Sequence, residues 1–194
     1  MEPPDFLNLK APFMNKKTKN EDLGRLDVIS FQKAKKIPII IILDDIRSLN
    51  NIGSFFRTAD AFRIQEILLC GICAQPPNKD IRKTALGATE SVAWRYFESV
   101  DQAILDLKTK GFKVISIEQS EHAVSLDKFQ PDPDDNYALI FGNEVRGVAQ
   151  SAVDQSDMCI EIPQFGTKHS FNVSVSCGIV LWDIVSKMGA TSDL

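Results

Sequence analysis

Short apolar runs alternate with longer amphipathic stretches along the chain. The first run, residues 37–43, is continuous and β-branched, a pattern typical of a strand that is covered on both faces. Similar runs predict further strands at 66–70, 93–97, 112–117, 137–141 and 158–162. Helical patterns lie between and after them, at 54–62, 80–86, 100–110, 150–155 and 171–187. Strands that alternate with helices predict an α/β fold, in which a parallel sheet carries helices on both faces.

The segment before the first strand has a different pattern. Residues 1 to about 20 are rich in Pro, Asn and Lys, which predicts a loose arm. Asn20 is suited to cap a helix with a partly apolar face that runs to about residue 34. We therefore divide the chain into an N-terminal arm and helix over 1–36 and one domain over 37–190.

Composition and charge narrow the class of protein. The chain has 194 residues, of which 44% are hydrophobic and 25% charged, the balance of a soluble globular protein of one domain. No apolar run approaches the roughly 20 residues that cross a bilayer. The N-terminus lacks the pattern of a secretory signal, so we expect a cytoplasmic protein without a membrane span. A net charge of −4 argues against binding nucleic acid by bulk charge, although a local basic patch is compatible with it.

Four cysteines could indicate a metal or redox site, but their spacing argues against one. Cys70 and Cys73 form a C-x-x-C pair, whereas Cys159 and Cys177 stand alone. A zinc site at the pair would therefore lack about half of its four ligands. The residues after Cys73 predict a loop, not the helix that a thioredoxin-like motif opens. We expect buried or strand-end thiols and no metal.

Three loops that follow predicted strands carry unusual residues, and in an open parallel sheet ligands bind beyond the carboxyl ends of the strands. The segment 50–60 places a glycine and Arg57 at the start of a helix, which favours an anion. The segment 141–147 brackets a carboxylate and an arginine with two glycines. The segment 160–176 runs through a Pro/Gly loop into a helix that Ser170 is suited to cap. Taken singly, each is equally well a capped helix or a solvated turn.

In this order, the three segments resemble the signature motifs of one enzyme family. LNNIGSFFRTADAF resembles the first motif, LIFGNEVRGV the second and IEIPQFGTKHSFNVSVSCGIVLW the third. Over residues 37–187 the chain is similar to the SpoU (TrmH) branch of the SPOUT superfamily, whose members are S-adenosylmethionine-dependent RNA ribose 2′-O-methyltransferases. Arg63, Val145 and Gln164 depart from the usual residues, and Arg63 stands where a glycine is usual. None of the three is an expected catalytic group.

The resemblance implies a fold, a cofactor and an assembly. The family has a parallel-sheet SPOUT fold whose C-terminal part threads through a loop to form a deep trefoil knot. The knot would bring three loops together to hold S-adenosylmethionine, largely through backbone groups. The family acts as a homodimer that shares its active site between subunits, and the apolar final helix is either a dimer surface or plain core. The cofactor contacts that the resemblance implies are Ile117, Gly142, Ile162, Ser170 and Phe171.

The resemblance also implies the reaction, an in-line transfer of the sulfonium methyl group to a ribose 2′-hydroxyl of RNA. Because a guanidinium stays protonated in proteins, Arg57 is an awkward base. We expect it to position the ribose and to stabilise charge, the alternative being a phosphate-coupled Arg57 that takes the proton itself. We expect Glu144 to tie loops together. The catalytic residues implied by the resemblance are Arg57, Asn51, Glu144, Ser170 and Asn172.

Among RNA substrates the resemblance favours tRNA. A catalytic domain with only a short arm is more similar to tRNA-directed members, and the third motif is similar to that of enzymes that modify the D-loop guanosine of tRNA. The alternatives are an rRNA 2′-O-methyltransferase, a non-catalytic RNA-binding module on the same scaffold, and a small-molecule binder, which the missing phosphate-loop and dinucleotide motifs disfavour. Contacts to RNA are expected at Lys16, Lys17, Lys19, Arg82, Lys83, Arg146 and Lys168.

Overall fold

The computed structural model describes residues 17–189 of the chain. The strands are β1 (Ile37–Asp44), β2 (Ile64–Cys70), β3 (Ala93–Phe97), β4 (Lys113–Ile117), β5 (Val124–Ser125), β6 (Tyr137–Phe141) and β7 (Met158–Glu161). The helices are α1 (Val28–Lys33), α2 (Leu49–Ala61), α3 (Lys79–Ala85), α4 (Ala88–Ser91), α5 (Val100–Thr109), α6 (Gln150–Gln155) and α7 (Val173–Lys187). No helix of this part of the chain is long and apolar enough to cross a membrane.

The seven strands form one sheet in the order β3-β2-β1-β6-β4-β7-β5, and every pair of neighbours is parallel. The predicted α/β fold with a parallel sheet is therefore confirmed. Six of the strands were predicted, whereas β5 has only two residues and is too short to show a hydrophobic period. The short helix α4 was missed for the same reason, since four residues make little more than one turn.

The sheet is covered on both faces, as the continuous apolar run of β1 predicts. Ile39, Ile41 and Leu43 are fully buried on one face, together with side chains of α2, α3 and α7. Ile40 and Ile42 are buried on the other face with side chains of α5 and α6. Each face thus buries its own apolar cluster, and β1 is one of the strands that contribute side chains to both clusters.

The predicted helix over 20–34 is wrong, because the chain turns in the middle of it. A 3₁₀ turn at Asn20–Leu23 ends at Gly24, whose φ of 59° lies in the left-handed region that glycine tolerates. A separate helix, α1, starts at Val28, where the carboxylate of Asp27 accepts a hydrogen bond from the Ser30 N–H at 2.7 Å. The start of the arm, residues 1–16, lies outside the described residues.

Helix α2 begins five residues earlier than the sequence pattern predicts. Ser48 is its N-cap, since the Ser48 hydroxyl accepts a hydrogen bond from the Asn51 N–H at 3.3 Å. Asn51 and Gly53 therefore lie inside the helix and not in a polar loop. Gly53 faces α3, because a Cβ there would lie 2.3 Å from the Ile81 carbonyl oxygen. This glycine allows two helices to approach closely.

Candidate active site

The carboxyl ends of β4, β6 and β7 open into one crevice. These strands lie side by side in the sheet, so the loops that follow them leave the same edge. The crevice has a volume of about 1320 Å³ and is bordered by the loops 118–122, 142–148 and 162–172. It brings together all of the residues for which the resemblance implies cofactor contact, namely Ile117, Gly142, Ile162, Ser170 and Phe171.

The loop after β6 is folded tightly against itself. A Cβ on Gly142 would lie 2.1 Å from both the backbone carbon of Gly147 and the backbone nitrogen of Val148, so no side chain fits there. Asn143 is buried and closes the turn, because its Oδ1 accepts hydrogen bonds from the backbone N–H groups of Val145 at 3.0 Å and Arg146 at 3.2 Å. Gly142 of the second motif thus allows this loop to pack compactly along one side of the crevice.

Glu118, which no sequence motif predicts, joins the end of β4 to this loop. Its carboxylate accepts a hydrogen bond from the Val148 N–H at 2.9 Å and another from the Gln119 N–H at 2.9 Å. Gly147 has a φ of 70°, and a Cβ there would lie 2.2 Å from the Glu118 carboxylate. Glu118 lies outside the three motifs, and no local pattern announces it. Only the adjacency of β4 and β6 in the sheet creates this contact.

Glu144 ties the same loop to the start of α2. Its carboxylate accepts hydrogen bonds from the backbone N–H groups of Arg47 at 3.1 Å and Ser48 at 3.0 Å, and from the Asn51 side-chain amide at 3.0 Å. Burial alone would raise the pKa of Glu144, but these hydrogen bonds outweigh it and hold the pKa below the ordinary 4.5. Glu144 is therefore an ionised anchor, which supports the tying role expected from the sequence.

Asn172 connects the third motif to the same network. Its amide Nδ2 donates a hydrogen bond to Asn51 Oδ1 at 3.2 Å, and its Oδ1 accepts one from the Ser174 N–H at 2.9 Å. Asn172 is thus the N-cap of α7. The expectation that Ser170 caps this helix is wrong, because the helix starts two residues later than predicted, at Val173. Ser170 lies in the exposed loop and borders the crevice.

Arg57 lies apart from the crevice. It follows Asn51 by six residues on α2, a displacement of about 9 Å along the helix axis. Its side chain is exposed and borders a separate hollow of about 380 Å³, next to Arg25 and Asp60. A single chain therefore brings Asn51, Glu144 and Asn172 into one hydrogen-bonded network beside the crevice but leaves Arg57 outside it.

Comparison with known proteins identifies the family. Residues 38–182 match the family described as SpoU rRNA Methylase. The chain belongs to the SpoU methylase family. This match covers all three motifs and confirms the resemblance that they carry in the sequence.

Two relatives show how much of a SpoU protein this chain represents. It is 33% identical over 144 residues to the protein named 23S rRNA (guanosine-2′-O-)-methyltransferase RlmB of Neisseria meningitidis, covering 74% of this chain and 56% of that one. It is 31% identical over 170 residues to an uncharacterized tRNA/rRNA methyltransferase of Borreliella burgdorferi, covering 88% of this chain and 72% of that one. The chain thus spans little more than half the length of the first relative.

Solved structures of SpoU proteins share the fold. The TrmH/SpoU tRNA modifying enzyme of A. aeolicus superposes with a TM-score of 0.72 at 24% identity, over 84% of this chain and 80% of that chain. The AdoMet-bound rRNA methyltransferase of Sinorhizobium meliloti superposes with a TM-score of 0.72 at 21% identity, over 80% of this chain and 59% of that chain. The seven-stranded sheet is therefore the SpoU sheet.

The residues expected to contact RNA are spread over the SpoU chain. Lys17 and Lys19 are exposed before the 3₁₀ turn, whereas Lys16 lies outside the described residues. Arg82 and Lys83 are exposed on α3, where Lys83 forms an ion pair with Asp80 at 2.7 Å. The remaining two, Arg146 and Lys168, are exposed on the loops that border the crevice.

Three of the four cysteines of this SpoU chain are buried, as the sequence predicts. Burial raises the pKa of the Cys73 thiol to about 12 and raises those of Cys70 and Cys177 still further. The Cys73 Sγ accepts a hydrogen bond from the Ile46 N–H at 3.1 Å and donates one to the Leu43 carbonyl oxygen at 3.3 Å. The C-x-x-C pair therefore belongs to the packed interior beneath the loop after β1.

Proposed function

We propose that this SpoU chain is an S-adenosylmethionine-dependent methyltransferase that modifies the 2′-hydroxyl of a ribose in RNA. The observation that carries the proposal is the convergence of the second and third family motifs on one crevice, with the start of the first motif hydrogen-bonded to both. Membership of the SpoU family supports RNA as the substrate. The relative named a guanosine-2′-O-methyltransferase supports the ribose hydroxyl as the acceptor.

The crevice fits S-adenosylmethionine, which supplies a methyl group on a sulfonium. Ile117 and Ile162 are half-buried at strand ends and Phe171 is 41% exposed, so they offer apolar surface to a purine ring. Gly142 lies at the start of the tightly folded loop that borders the crevice and offers it backbone groups. Ser170 adds a hydroxyl at the border. The AdoMet-bound structure of the S. meliloti protein supports this cofactor.

Arg57 positions the substrate in this proposal. A guanidinium keeps its proton in proteins, so Arg57 holds a phosphate next to the reacting ribose and stabilises the charge that develops on the 2′-oxygen. The proton of the 2′-hydroxyl then passes to water late in the methyl transfer. The alternative, in which a phosphate-coupled Arg57 takes the proton, requires the guanidinium to be desolvated, whereas Arg57 is exposed in the single chain.

A homodimer completes the site in this proposal. Because Arg57 and the crevice are separate in one chain, the Arg57 of one copy has to face the crevice of another. Helix α7 offers an unpaired apolar surface for the second copy, since Val175 is 50% and Trp182 is 61% exposed. Val180 and Leu181 on the same helix are buried in the core, so α7 serves as both core and surface.

We further infer that the C-terminal segment threads a loop to form the trefoil knot of the family. Two contacts support this. Leu126 donates its backbone N–H to the Glu161 carbonyl at the end of β7, at 2.9 Å. The Lys187 ammonium at the end of α7 donates to the carbonyl oxygens of Leu126 at 2.8 Å and Phe129 at 2.9 Å. The segment before β6 thus contacts both the end of β7 and the end of α7.

A tRNA is the favoured substrate, with a D-loop guanosine as the proposed target. The third motif and the fold shared with the A. aeolicus tRNA modifying enzyme support this choice, whereas the N. meningitidis relative is named for rRNA. An rRNA remains the second candidate because that relative is 33% identical. Transfer of a tritiated methyl group from S-adenosylmethionine into total tRNA and into rRNA, followed by nucleoside mapping, tests both. A 2′-O-methylated nucleoside in tRNA is the expected product, and binding of RNA without any transfer would favour a non-catalytic module.

A further inference from the structure

The hollow beside Arg57, which we call the Arg57 hollow, is a second recess with its own lining. It has a volume of about 380 Å³, within the usual size range of small-molecule sites. It shares no lining residue with the crevice. The chain before α1, α1 itself, α2 and the turn from α3 into α4 surround it. None of the three motifs predicts this recess, because only Arg57, Asp60 and Ala61 among its lining residues belong to the first motif.

Two guanidinium groups line the Arg57 hollow without a partner. Neither Arg25 nor Arg57 has a carboxylate within 4.0 Å among residues 17–189, and neither side chain makes a hydrogen bond to those residues. Among the other described arginines, Arg95 pairs with Glu66 at 2.7 Å and Arg146 lies 3.8 Å from Asp45. Two unpaired guanidiniums in one recess are suited to an anion that accepts several hydrogen bonds, such as a phosphodiester.

Three carboxylates also line the hollow, and two of them are already engaged. Asp27 accepts a hydrogen bond from the Ser30 N–H at 2.7 Å as the cap of α1. Asp60 accepts a hydrogen bond from the Ser91 hydroxyl. The Glu90 carboxylate accepts no hydrogen bond from the described residues. Bonds from neutral donors leave Asp27 and Asp60 charged, so the lining carries two guanidiniums and three carboxylates, of which Glu90 alone accepts no hydrogen bond from the described residues.

The rest of the lining is apolar and open. Leu26 is 49% exposed, Val28 is 41% exposed and Leu86 is 66% exposed at the rim of the hollow. An inorganic anion would gain nothing from these side chains, whereas a ribose or a base would cover them. Phosphate, sugar and base edge together match the three kinds of group in the recess.

We propose that the Arg57 hollow binds one nucleotide of the substrate RNA, with Arg25 and Arg57 together holding its phosphodiester. The apolar rim covers the ribose and base, and Glu90 accepts hydrogen bonds from N–H donors on the base edge. Guanine presents two adjacent donors of this kind, so a guanosine fits the acceptor best. Arg25 is then a positioning residue for RNA. This inference rests on the proposed function and names the place where its substrate is held.

The test compares Arg25→Gln with a matched loss of charge, Lys128→Gln, an exposed lysine next to β5 at the opposite edge of the sheet. Binding of a guanosine-containing RNA oligonucleotide is followed by fluorescence anisotropy over a range of salt, and affinity for S-adenosylmethionine by calorimetry. We expect Arg25→Gln to weaken RNA binding about tenfold. The slope of the logarithm of the binding constant against the logarithm of the salt concentration should become less steep by roughly 0.7, the contribution of one phosphate on a single strand. Cofactor affinity stays unchanged, and Lys128→Gln matches the wild type.

Glu90→Gln separates a nucleotide site from a simple anion site. If Glu90 accepts base N–H donors, the variant weakens binding of the guanosine oligonucleotide more than that of its inosine analogue, which lacks the exocyclic amino group. Tighter binding of both oligonucleotides would overturn the nucleotide site, because removing a negative charge favours a bare anion. Two results with Arg25→Gln would also overturn the nucleotide site. One is a salt dependence equal to that of the wild type, and the other is an unchanged RNA affinity together with a changed oligomeric state in sedimentation.

Failure of the proposed function gives a different result. In that case the wild-type protein transfers no methyl group to any RNA, whatever the Arg25 variant does. If the wild type methylates RNA and Arg25→Gln has the KM and the salt dependence of the wild type, only the proposed nucleotide site in the Arg57 hollow is refuted. A rise in KM with little change in kcat is the expected signature of a positioning residue that acts on RNA binding.

Discussion

The side-chain amide of Asn172 donates a hydrogen bond to Asn51 Oδ1 across 3.2 Å, although 121 residues separate them in the chain. Asn51 in turn donates to the Glu144 carboxylate at 3.0 Å. One polar side chain from each of the three motifs therefore forms a single chain of hydrogen bonds. Because Asn51 is buried, its amide has to be paired in the folded state, and this pairing fixes how the loops meet.

Replacement of Glu144 by Gln should weaken the hydrogen bonds that join the three motifs. It should also reduce the loss of stability at acid pH. The folded protein holds the pKa of Glu144 below 4.5. The stabilisation by the ionised carboxylate is therefore complete above about pH 4.5 and is lost as the pH falls through the lower pKa of the folded state. We expect Glu144→Gln to lower the free energy of unfolding by about 1 kcal/mol at pH 7, with a smaller loss at pH 3.

Urea unfolding of the wild type and Glu144→Gln at several pH values measures this difference. Glu98→Gln is the control, since Glu98 is exposed and its carboxylate makes no hydrogen bond to residues 17–189. Equal stability of the wild type and Glu144→Gln at pH 7 would contradict the anchoring role of Glu144.

Replacement of Gly142 by Ala should close the crevice. The added Cβ would lie 2.1 Å from backbone atoms of Gly147 and Val148, which cannot rotate away. We expect a destabilisation of about 1–3 kcal/mol and a loss of S-adenosylmethionine binding in calorimetry. Gly166→Ala is the matched control, because a Cβ there meets nothing within 4 Å. Normal cofactor binding by Gly142→Ala would mean that the loop after β6 does not shape the cofactor site.

The sheet was predictable from the sequence because buried parallel strands are nearly continuous apolar runs. β1 and β6 bear such runs, and β1 buries isoleucines on both faces, whereas the edge strand β3 has no buried residue. Helix starts were less predictable. Asn51 has the character of a turn residue, yet it lies inside α2 because Glu144 and Asn172 satisfy its amide. Partners so distant in sequence leave no local signal.

The candidate site was predictable only as far as the motifs reach. Four of the five expected cofactor residues, all except Ile117, lie in the motifs, and the crevice gathers all five. The motifs carry no information on Glu118, whose contact with Val148 depends on strand order, or on Arg25, which lies before the first strand. The separation of Arg57 from the crevice follows from the unforeseen start of α2. These positions depend on contacts across the sheet and between helices, and the hydrophobic periodicity of the sequence does not encode such contacts.

Replacement of Arg63 by Gly should stabilise the protein. Arg63 follows α2 with a φ of 47°, a left-handed conformation that costs roughly 1–2 kcal/mol for a residue with a side chain. Glycine removes this cost but adds freedom to the unfolded chain, so we expect a net gain of roughly 0.5–1 kcal/mol. Thermal unfolding should show a rise of about 2–4 °C per kcal/mol. Arg63→Ala keeps the left-handed cost and serves as control, and an equal gain in both variants would show that the arginine side chain, not its backbone, is unfavourable.

Alkylation should distinguish Cys159 from the other three cysteines. Burial raises the pKa of Cys73 to about 12 and those of Cys70 and Cys177 further, so these thiols hold almost no reactive thiolate at pH 8. Cys159 is only half-buried. Mass spectrometry after brief treatment of the native protein with iodoacetamide should find one modified site, at Cys159, and Cys159→Ser should leave none. Rapid modification of Cys70 or Cys73 in the native protein would place the C-x-x-C pair at the surface.

Replacement of Arg57 by Ala should separate binding from transfer. Arg57 is exposed and lies outside the crevice, so the variant should fold and bind S-adenosylmethionine as the wild type does. Methyl transfer should fall by about 100-fold or more, the usual effect of removing a group that stabilises developing charge. Arg57→Lys keeps the charge but loses the planar fork, and we expect it to recover only part of the rate. Unchanged turnover in Arg57→Ala would refute the catalytic role.

Mixing two inactive variants should reveal whether the active site is shared between copies. Ile162→Trp would fill the crevice with a larger side chain, whereas Arg57→Ala leaves the crevice intact. If each site combines the crevice of one copy with the Arg57 of another, a mixed dimer contains one complete site. Refolding the two variants together should then restore up to about one quarter of the wild-type activity, because half of the dimers are mixed and each carries one of two sites. If both groups served the site of their own chain, the mixture would stay as inactive as its components, and the homodimer would have no part in catalysis.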